Sequence, residues 1–549
     1  MSQNYQGNHD AKRVKQKTKA QAKGRKKKST KSKGLIIFSK IWALLYLAAC
    51  VLFIIYIAYT SILPRKFLLI AACVLGGVSL LLFITLFVKA FKKSRKIFSI
   101  ILTTALMAGF AFVFFDLGVT MDFFTQVTNL GTQWEKYYVV TTTESNYLTL
   151  NDIKGEKVET LDGMDSNYSA AQKKLKKKVD VTYKVDVKIS SIGEDLLDGK
   201  TDTALISAAH YDAIRDSEKT FKNKTRIIQT INVRVSSSDL SKNVNVTKKS
   251  YNIYLSGLDI RGSIDQTSRS DVNMIITVNP VTHTVILTSI PRDYLVHLKD
   301  KGDAQDKLTH TGIYGIRETL RSVEDLTGLD MNYFVKVNYS TLTRFIDAIG
   351  GIDVYSDYAF VTHGQQYYEF KKGKNHLNGK EALAFARERK AFTNGDVQRT
   401  IDQEKVMEAI LKKASSSRTI LMNYNDILDS CKQYMQINMT SSEIRSIIRM
   451  QLSGGYKWKI YKQHLNGTDS SQQCYSSGDY YVYVMEPIQE SVDQGVWNIR
   501  RVMNGKKITK KDASRTGTIT AGETVGSASE AESSDSSGTG SDSTQDTQN

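Results

Sequence analysis

The chain runs to 549 residues with 75 Lys and Arg against 56 Asp and Glu, a net charge of +19. Residues 1–116 hold 20 of those bases and two of the acids, which is +18, so the remainder carries 19 minus 18, or +1. The length is enough for more than one domain. A charge confined to one end excludes a basic nucleic-acid footprint on the bulk of the chain, so no nucleic-acid partner is expected.

Ile41–Leu63, Phe67–Val88 and Ile97–Phe115 are apolar, nearly uncharged runs. At about 1.5 Å per residue each is long enough for a hydrocarbon core of ~30 Å. A signal peptide would be one short apolar stretch with a cleavage site, so three in succession predict retained transmembrane helices over 35–116. Residues 1–34 carry 12 Lys and Arg, the Pro64-Arg-Lys66 turn two, and Lys89–Lys96 five. The positive-inside rule then puts the N-terminus and second loop in the cytoplasm and everything after Phe115 outside. The basic tail 1–34 is the kind of segment that anionic membrane lipid holds, at about 1 kcal/mol per basic residue.

Residues 117–247 read as a small α/β accessory domain, with strand-like Tyr137-Tyr-Val-Val-Thr and Val179-Asp-Val-Thr-Tyr-Lys-Val around a lysine-rich helical stretch near Ala170–Lys178. From 248 to 420 the pattern is again α/β. Tyr251–Ser256, Val272–Val278 and Val285–Ile290 are β-branched strand-like runs; Thr311–Leu326 and Thr341–Ile349 have helical periodicity, stopped by Gly328 and Gly350. Asn378–Arg387 and Val397–Ala414 add two helices. This alternation predicts a mixed β-sheet sandwiched by helices. Residues 421–510 read as a folded extension with Trp458 and Trp497, and 511–549 as a disordered tail of Ser, Thr, Gly and acids with too little apolar surface to order itself. Cys431 and Cys474, both outside, allow one disulfide or two free buried thiols.

The candidate site lies in 248–420. Asp259 ends one strand and Asp271 begins the next, so a turn can bring both carboxylates to one sheet edge, where Arg269 and Arg292 also fall. Arg387 and Arg389 are two apart; on one continuous helix they diverge by about 200°, so both reach one phosphate only if the helix stops near Arg387. Asp396, Arg399 and Gln403, spaced three and four apart, share a helix face. Each piece has a plainer reading: Asp as a turn cap, Arg292–Asp293 as a surface ion pair, and Asp396 with Arg399 as a helix-stabilising pair. Together, carboxylates that suit magnesium beside planar guanidiniums that grip phosphate point to a metal-bound pyrophosphate. No Cys/His cluster suggests zinc, and no phosphate-binding Walker loop is present.

In order and spacing, Gly257-x-Asp259, Arg269-x-Asp271, Ser289-Ile-Pro-Arg-Asp293, Lys307-Leu-Thr-His310, Gly350-Gly351, Leu377-Asn-Gly379, Arg387-x-Arg389 and Asp396-x-x-Arg399-x-x-x-Gln403 resemble the catalytic domain of the LytR-CpsA-Psr (LCP) family. The flanking regions fit the layout of its streptococcal CpsA-type capsule members. The resemblance implies a transferase that moves a capsular, exopolysaccharide or related glycopolymer from a polyprenyl-pyrophosphate carrier to peptidoglycan, in the cell membrane with its catalytic region facing the wall and in the company of capsule-synthesis machinery. It implies that Asp259 and Asp271 bind magnesium, or manganese in its place. Arg269, Arg292, Arg387, Arg389, Asp396 and Arg399 would be catalytic, and Lys307 and Gln403 would join the arginines in binding substrate. His310 reads as a structural hydrogen-bonder. A membrane-bound regulator that binds the lipid pyrophosphate, and a hydrolase that cleaves it, use the same charges and stay open.

Overall fold

The computed structural model describes residues 7–128, 133–161, 166–235, 240, 242–258, 264, 267–364, 366–393, 395–415, 427 and 434–514, with side chains from 34 onward except at 133, 166, 235, 396 and 514. Asp259 and Cys431, two residues singled out above, lie outside this set, as does the polar tail from 515 on; Asp396 is described by its backbone alone. The chain divides into two compact units, Met1–Phe124 with Ile444–Gly455, and Thr125–Glu443 with Tyr456–Asn549.

The first unit is built on α1 (Gly7–Thr60), α2 (Arg65–Phe87) and α3 (Lys93–Val127). Gly34–Thr60, α2 and α3 are each long and apolar enough to cross a membrane. Much of their apolar surface is exposed, Leu52 and Leu81 among it. The helices meet through polar and aromatic contacts: Tyr46 Oη lies 2.8 Å from Ser79 Oγ, Trp42 Nε1 donates to Thr103 Oγ1 at 3.0 Å, and Phe53 stacks on Phe110 at 4.3 Å.

The second unit opens with an α/β layer: β1 (Gln133–Thr142), β2 (Lys157–Leu161), α4 (Ser166–Lys178), β3 (Thr182–Asp186), α5 (Ile189–Leu197), β4 (Thr203–Ser207), α6 (Ala208–Ser217), α7 (Phe221–Lys224) and β5 (Thr225–Val235). Its five-stranded mixed sheet, in the order β3-β2-β4-β1-β5, buries Tyr137, Val139, Leu205 and Ile206 against Ile192, Leu196 and Tyr168.

Next come β6 (Tyr251–Leu258), β7 (Ser270–Asn279), β8 (Thr284–Ile290), the hairpin β9 (Leu295–Leu298) and β10 (Ala304–Lys307), α8 (Leu308–Tyr314), α9 (Ile316–Thr327), β11 (Tyr333–Asn338) and α10 (Tyr339–Ala348). Then follow β12 (Ile352–Ser356), β13 (Phe360–Val361), β14 (Glu369–Phe370), β15 (Gly373–Leu377), α11 (Gly379–Arg387) and α12 (Gly395–Ala414). The chain ends with β16 (Met435–Ile437), α13 (Ser441–Gly454), β17 (Lys459–His464), β18 (Gly467–Gln473), β19 (Tyr481–Pro487), α14 (Gln489–Met503) and α15 (Lys510–Ser514).

The expected mixed sheet between helices is present as six strands in the order β16-β11-β6-β7-β8-β17. Two details differ from the sequence reading. The helix expected over Thr311–Leu326 is two, broken at Gly315, whose φ of 109° and ψ of 162° no side chain tolerates well. The extension expected at 421–510 completes the sheet, giving it edge strands β16 and β17, and covers it with α14, whose Val492, Val496, Ile499 and Val502 join the core around Tyr254 and Ile286. Gly328 and Gly350 end their helices at positive φ, as expected.

Candidate active site

β6 pairs parallel with β11 and antiparallel with β7, which runs antiparallel to β8, and β8 is parallel to β17. The carboxyl ends of β6, β8, β11 and β17 therefore share one sheet edge with the start of β7. Ligand sites of α/β sheets form at such edges, where loops and helix N-termini converge. Asp271 stands at the start of β7, Arg292 two residues beyond β8, and Tyr339 directly after β11.

These groups are wired together. Arg292 Nη1 donates to Asp271 Oδ1 at 3.0 Å and its Nε to Asp293 Oδ2 at 3.2 Å. Tyr339 Oη donates to the other Asp271 oxygen at 3.3 Å, and the Arg387 guanidinium lies 4.3 Å from the centre of the Tyr339 ring. Tyr339 opens α10, whose Asn338 cap accepts from Thr341 N at 3.0 Å.

α11 ends at Arg387, and Glu388 turns extended at φ −64° and ψ 135°, the break that two arginines on one phosphate require. Glu388 is buried and holds the following loop: its carboxylate accepts from His363 N at 2.7 Å and from Arg389 N and Ala391 N at 3.0 Å each. Burial alone would raise this carboxyl, but the backbone N–H groups of His363, Ala391 and Arg389 outweigh it and hold it below the usual value. Gly395, the first residue of α12, lies so close to the Arg389 carbonyl that a Cβ has no room. On α12, Arg399 is buried and Gln403 Nε2 donates to Ala386 O at 3.4 Å.

The result is a cavity of about 260 Å³ that joins two chemistries. Asp271, Arg292, Arg387, Arg389, Arg399 and Gln403 line it together with Tyr339. The rest of its wall is apolar: Leu255, Leu258 and Val272 from the sheet, Leu342 from α10, and Leu383, Val406 and Met407 from α11 and α12. Of the apolar helices α9 and α10, α10 lends Leu342 to this cavity, whereas α9 turns Ile316, Leu320 and Val323 into the core. A cleft of about 450 Å³ shares Arg292 and Arg399 with the cavity, and another of about 1050 Å³ shares Tyr339, Leu383, Arg387 and Arg389.

Other residues singled out in the sequence are placed elsewhere. Arg269 points to the accessory layer, 3.6 Å from both Asp212 and Asp216 on α6. Lys307 stands behind Asp293, Nζ to Oδ1 3.7 Å, with its ammonium 5.9 Å from the Tyr483 ring. His310 is structural, as expected: Nδ1 lies 2.9 Å from the buried Asp306 and 2.6 Å from Ser476 Oγ. Cys474 is a free buried thiol, pushed up to about 12 by burial. Sequence reasoning passed over Tyr339 and Glu388. The first was marked only by its place after a strand, the second only by lying between two arginines.

As for a metal, the described residues contain no group of three His, Cys, Asp or Glu side chains able to hold one. Magnesium needs no such cage, since it commonly takes one or two carboxylates and completes its shell with water and substrate phosphates. Asp271, an oxygen donor at the wall of an arginine-lined cavity, meets that requirement.

Residues 210–495 match the LytR_cpsA_psr family. The chain is 31% identical over 249 residues to a polyisoprenyl-teichoic acid–peptidoglycan teichoic acid transferase TagU of Bacillus mycoides, covering 44% of this chain and 75% of that protein. It is 32% identical over 245 residues to the TagU of Bacillus licheniformis, covering 42% and 76%. Among solved structures, B. subtilis TagV aligns with 26% identity and a TM-score of 0.40 over 48% of this chain and 99% of that one.

Proposed function

The chain belongs to the LytR-CpsA-Psr family of transferases, and from that premise we propose that it transfers a glycopolymer from a polyprenyl-pyrophosphate carrier to peptidoglycan. The observation that carries this reading is the joint lining of one cavity by four arginines and an apolar wall. A polyprenyl chain needs the apolar wall. The pyrophosphate needs the guanidiniums, which bind phosphate oxygens bidentately and absorb the charge that develops when the carrier leaves.

In this reading Arg292, Arg387, Arg389 and Arg399 hold the pyrophosphate, Gln403 and Asp396 serve from the α12 side, and Asp271 with Asp259 holds magnesium or manganese. The metal, when bound, supplies charge neutralisation at the phosphates. Lys307 acts from behind, through Asp293, and Arg269, paired with Asp212 and Asp216, stays outside the donor-binding set. Tyr339 orients both Asp271 and Arg387. The finer reading, that the polymer is a capsular polysaccharide or exopolysaccharide and that capsule-synthesis proteins are neighbours, rests on the CpsA-type layout of three spans and an accessory domain; the relatives named above are teichoic acid transferases. The 12, two, five distribution of basic residues supports a cytoplasmic N-terminus with the cavity outside.

The test is polymer attachment by the purified full chain, with a polyprenyl-pyrophosphate polysaccharide as donor and peptidoglycan as acceptor, in magnesium and in chelator. Magnesium-dependent attachment is expected, and Asp271→Ala should abolish it. Release of free polymer with none attached would mark a hydrolase. Donor binding without turnover would mark a regulator. In intact protoplasts, added protease should remove the cavity-bearing unit and spare an N-terminal tag; the reverse would overturn the orientation.

A further inference from the structure

We propose that the 450 Å³ cleft beside the arginine cavity is the acceptor site, and that His464 within it takes the proton from the sugar hydroxyl that attacks the donor. This rests on the transferase reading and adds to it the second substrate's place and the base.

The cleft and the apolar cavity have Arg292 and Arg399 in common and nothing else. A molecule in the cleft therefore meets the donor's pyrophosphate at those two guanidiniums and nowhere near the carrier's lipid wall. The remaining lining suits carbohydrate: Thr393, Thr400, Asn466, Thr468, Asp469 and Tyr483 offer hydroxyl, amide, carboxylate and phenol groups.

His464 is the last residue of β17, in register with Ser289 of β8, so it stands at the same strand-end edge as Arg292. Its ring makes no hydrogen bond or ion pair with the described residues. The other bases of the cleft are committed. Asp293 faces Arg292 Nε at 3.2 Å and Lys307 Nζ at 3.7 Å, and Asp469 accepts from Tyr483 Oη at 2.7 Å. In the larger cleft, His363 lies 3.4 Å from Glu388. Burial pulls the His464 imidazole below its ordinary value, so at neutral pH it has a lone pair to offer. The same cleft is lined by Arg292 and Asp293 from the β8 exit, Arg399 from α12, Asp469 from β18 and Tyr483 from β19.

In the step, the acceptor O–H bond breaks and its proton moves to the imidazole. The oxygen forms a bond to the glycan end of the donor as the bond from that end to the carrier breaks, and the carrier phosphate leaves with the electron pair. The imidazolium then loses its proton to water.

The test uses the full chain in detergent, a polyprenyl-pyrophosphate oligosaccharide and a soluble peptidoglycan fragment. His464→Gln should leave the donor Kd unchanged, lower kcat for attachment by about 10²-fold or more, and remove the acid limb of the pH profile. Thr468→Trp, at an exposed hairpin position, should leave donor Kd and Tm unchanged while raising the acceptor KM about tenfold. Attachment by His464→Gln at the unmutated rate and pH profile, or an unchanged acceptor KM in Thr468→Trp, overturns the assignment. Failure of the unmutated chain to bind donor or attach polymer would instead overturn the transferase reading.

Discussion

Replacing Glu388 by Gln isolates the loop that carries Arg389. The carboxylate receives three backbone N–H groups at 2.7, 3.0 and 3.0 Å in a buried position. Bonds to a charged acceptor contribute about 1.5–3 kcal/mol each, neutral ones about 0.5–1.5. In the Gln variant one side-chain NH2 is forced against a backbone N–H, so at least one bond is lost and the others weaken, a loss of about 3 kcal/mol or more. Because that loss falls on one loop, it should appear as weaker donor binding, on the order of 10²-fold, with a Tm lowered by only a few degrees. Calorimetric titration with polyprenyl pyrophosphate, beside a thermal melt, reads both. The folded carboxyl lies below its unfolded value, so its stabilisation is present above about pH 4.3 and is lost as pH falls through the lower folded value. Donor binding by the unmutated chain should fall off in that acid window, and that by Glu388→Gln should not. A donor Kd within twofold of the unmutated chain would refute the reasoning.

The guanidinium geometry is tested by Arg387→Lys and Arg389→Lys, which keep charge but lose the planar fork and should weaken donor binding at least tenfold in the same titration, whereas Arg269→Lys, which faces Asp212 and Asp216, should change it less than twofold. Gly395→Ala drives a Cβ into the Arg389 carbonyl and should cost about 1–3 kcal/mol, read as a weaker donor Kd; an unchanged Kd would mean that the loop yields freely. Burial pushes the Glu404 carboxyl up to about 8, while unfolded it titrates near 4.3. Stability therefore falls as pH rises between those values, and Glu404→Gln, neutral throughout, should raise Tm more at pH 8 than at pH 5. Equal shifts at both would refute the buried-acid account.

Much of the site was legible because its parts obey local rules. Arg399 and Gln403 share a face through helical spacing alone, and both line the cavity. Arg387 and Arg389 could serve one phosphate only if the helix stopped between them, and it does. Tyr339, Glu388 and His464 were not legible, since each acquires its role from a partner far along the chain: Asp271 for Tyr339, His363 for Glu388, Arg292 and Arg399 for His464.

The three apolar helices, the α/β alternation and the supply of arginines are local properties, because helix length, side-chain periodicity and charge act within a few residues of where they are written. That β16 and β17 complete the sheet, that Arg269 turns toward α6, and that a second cleft opens on Arg292 and Arg399 are outcomes of long-range packing. Strand pairing and the packing of distant segments choose among many partners of equal local propensity, and that choice is made by the whole core at once.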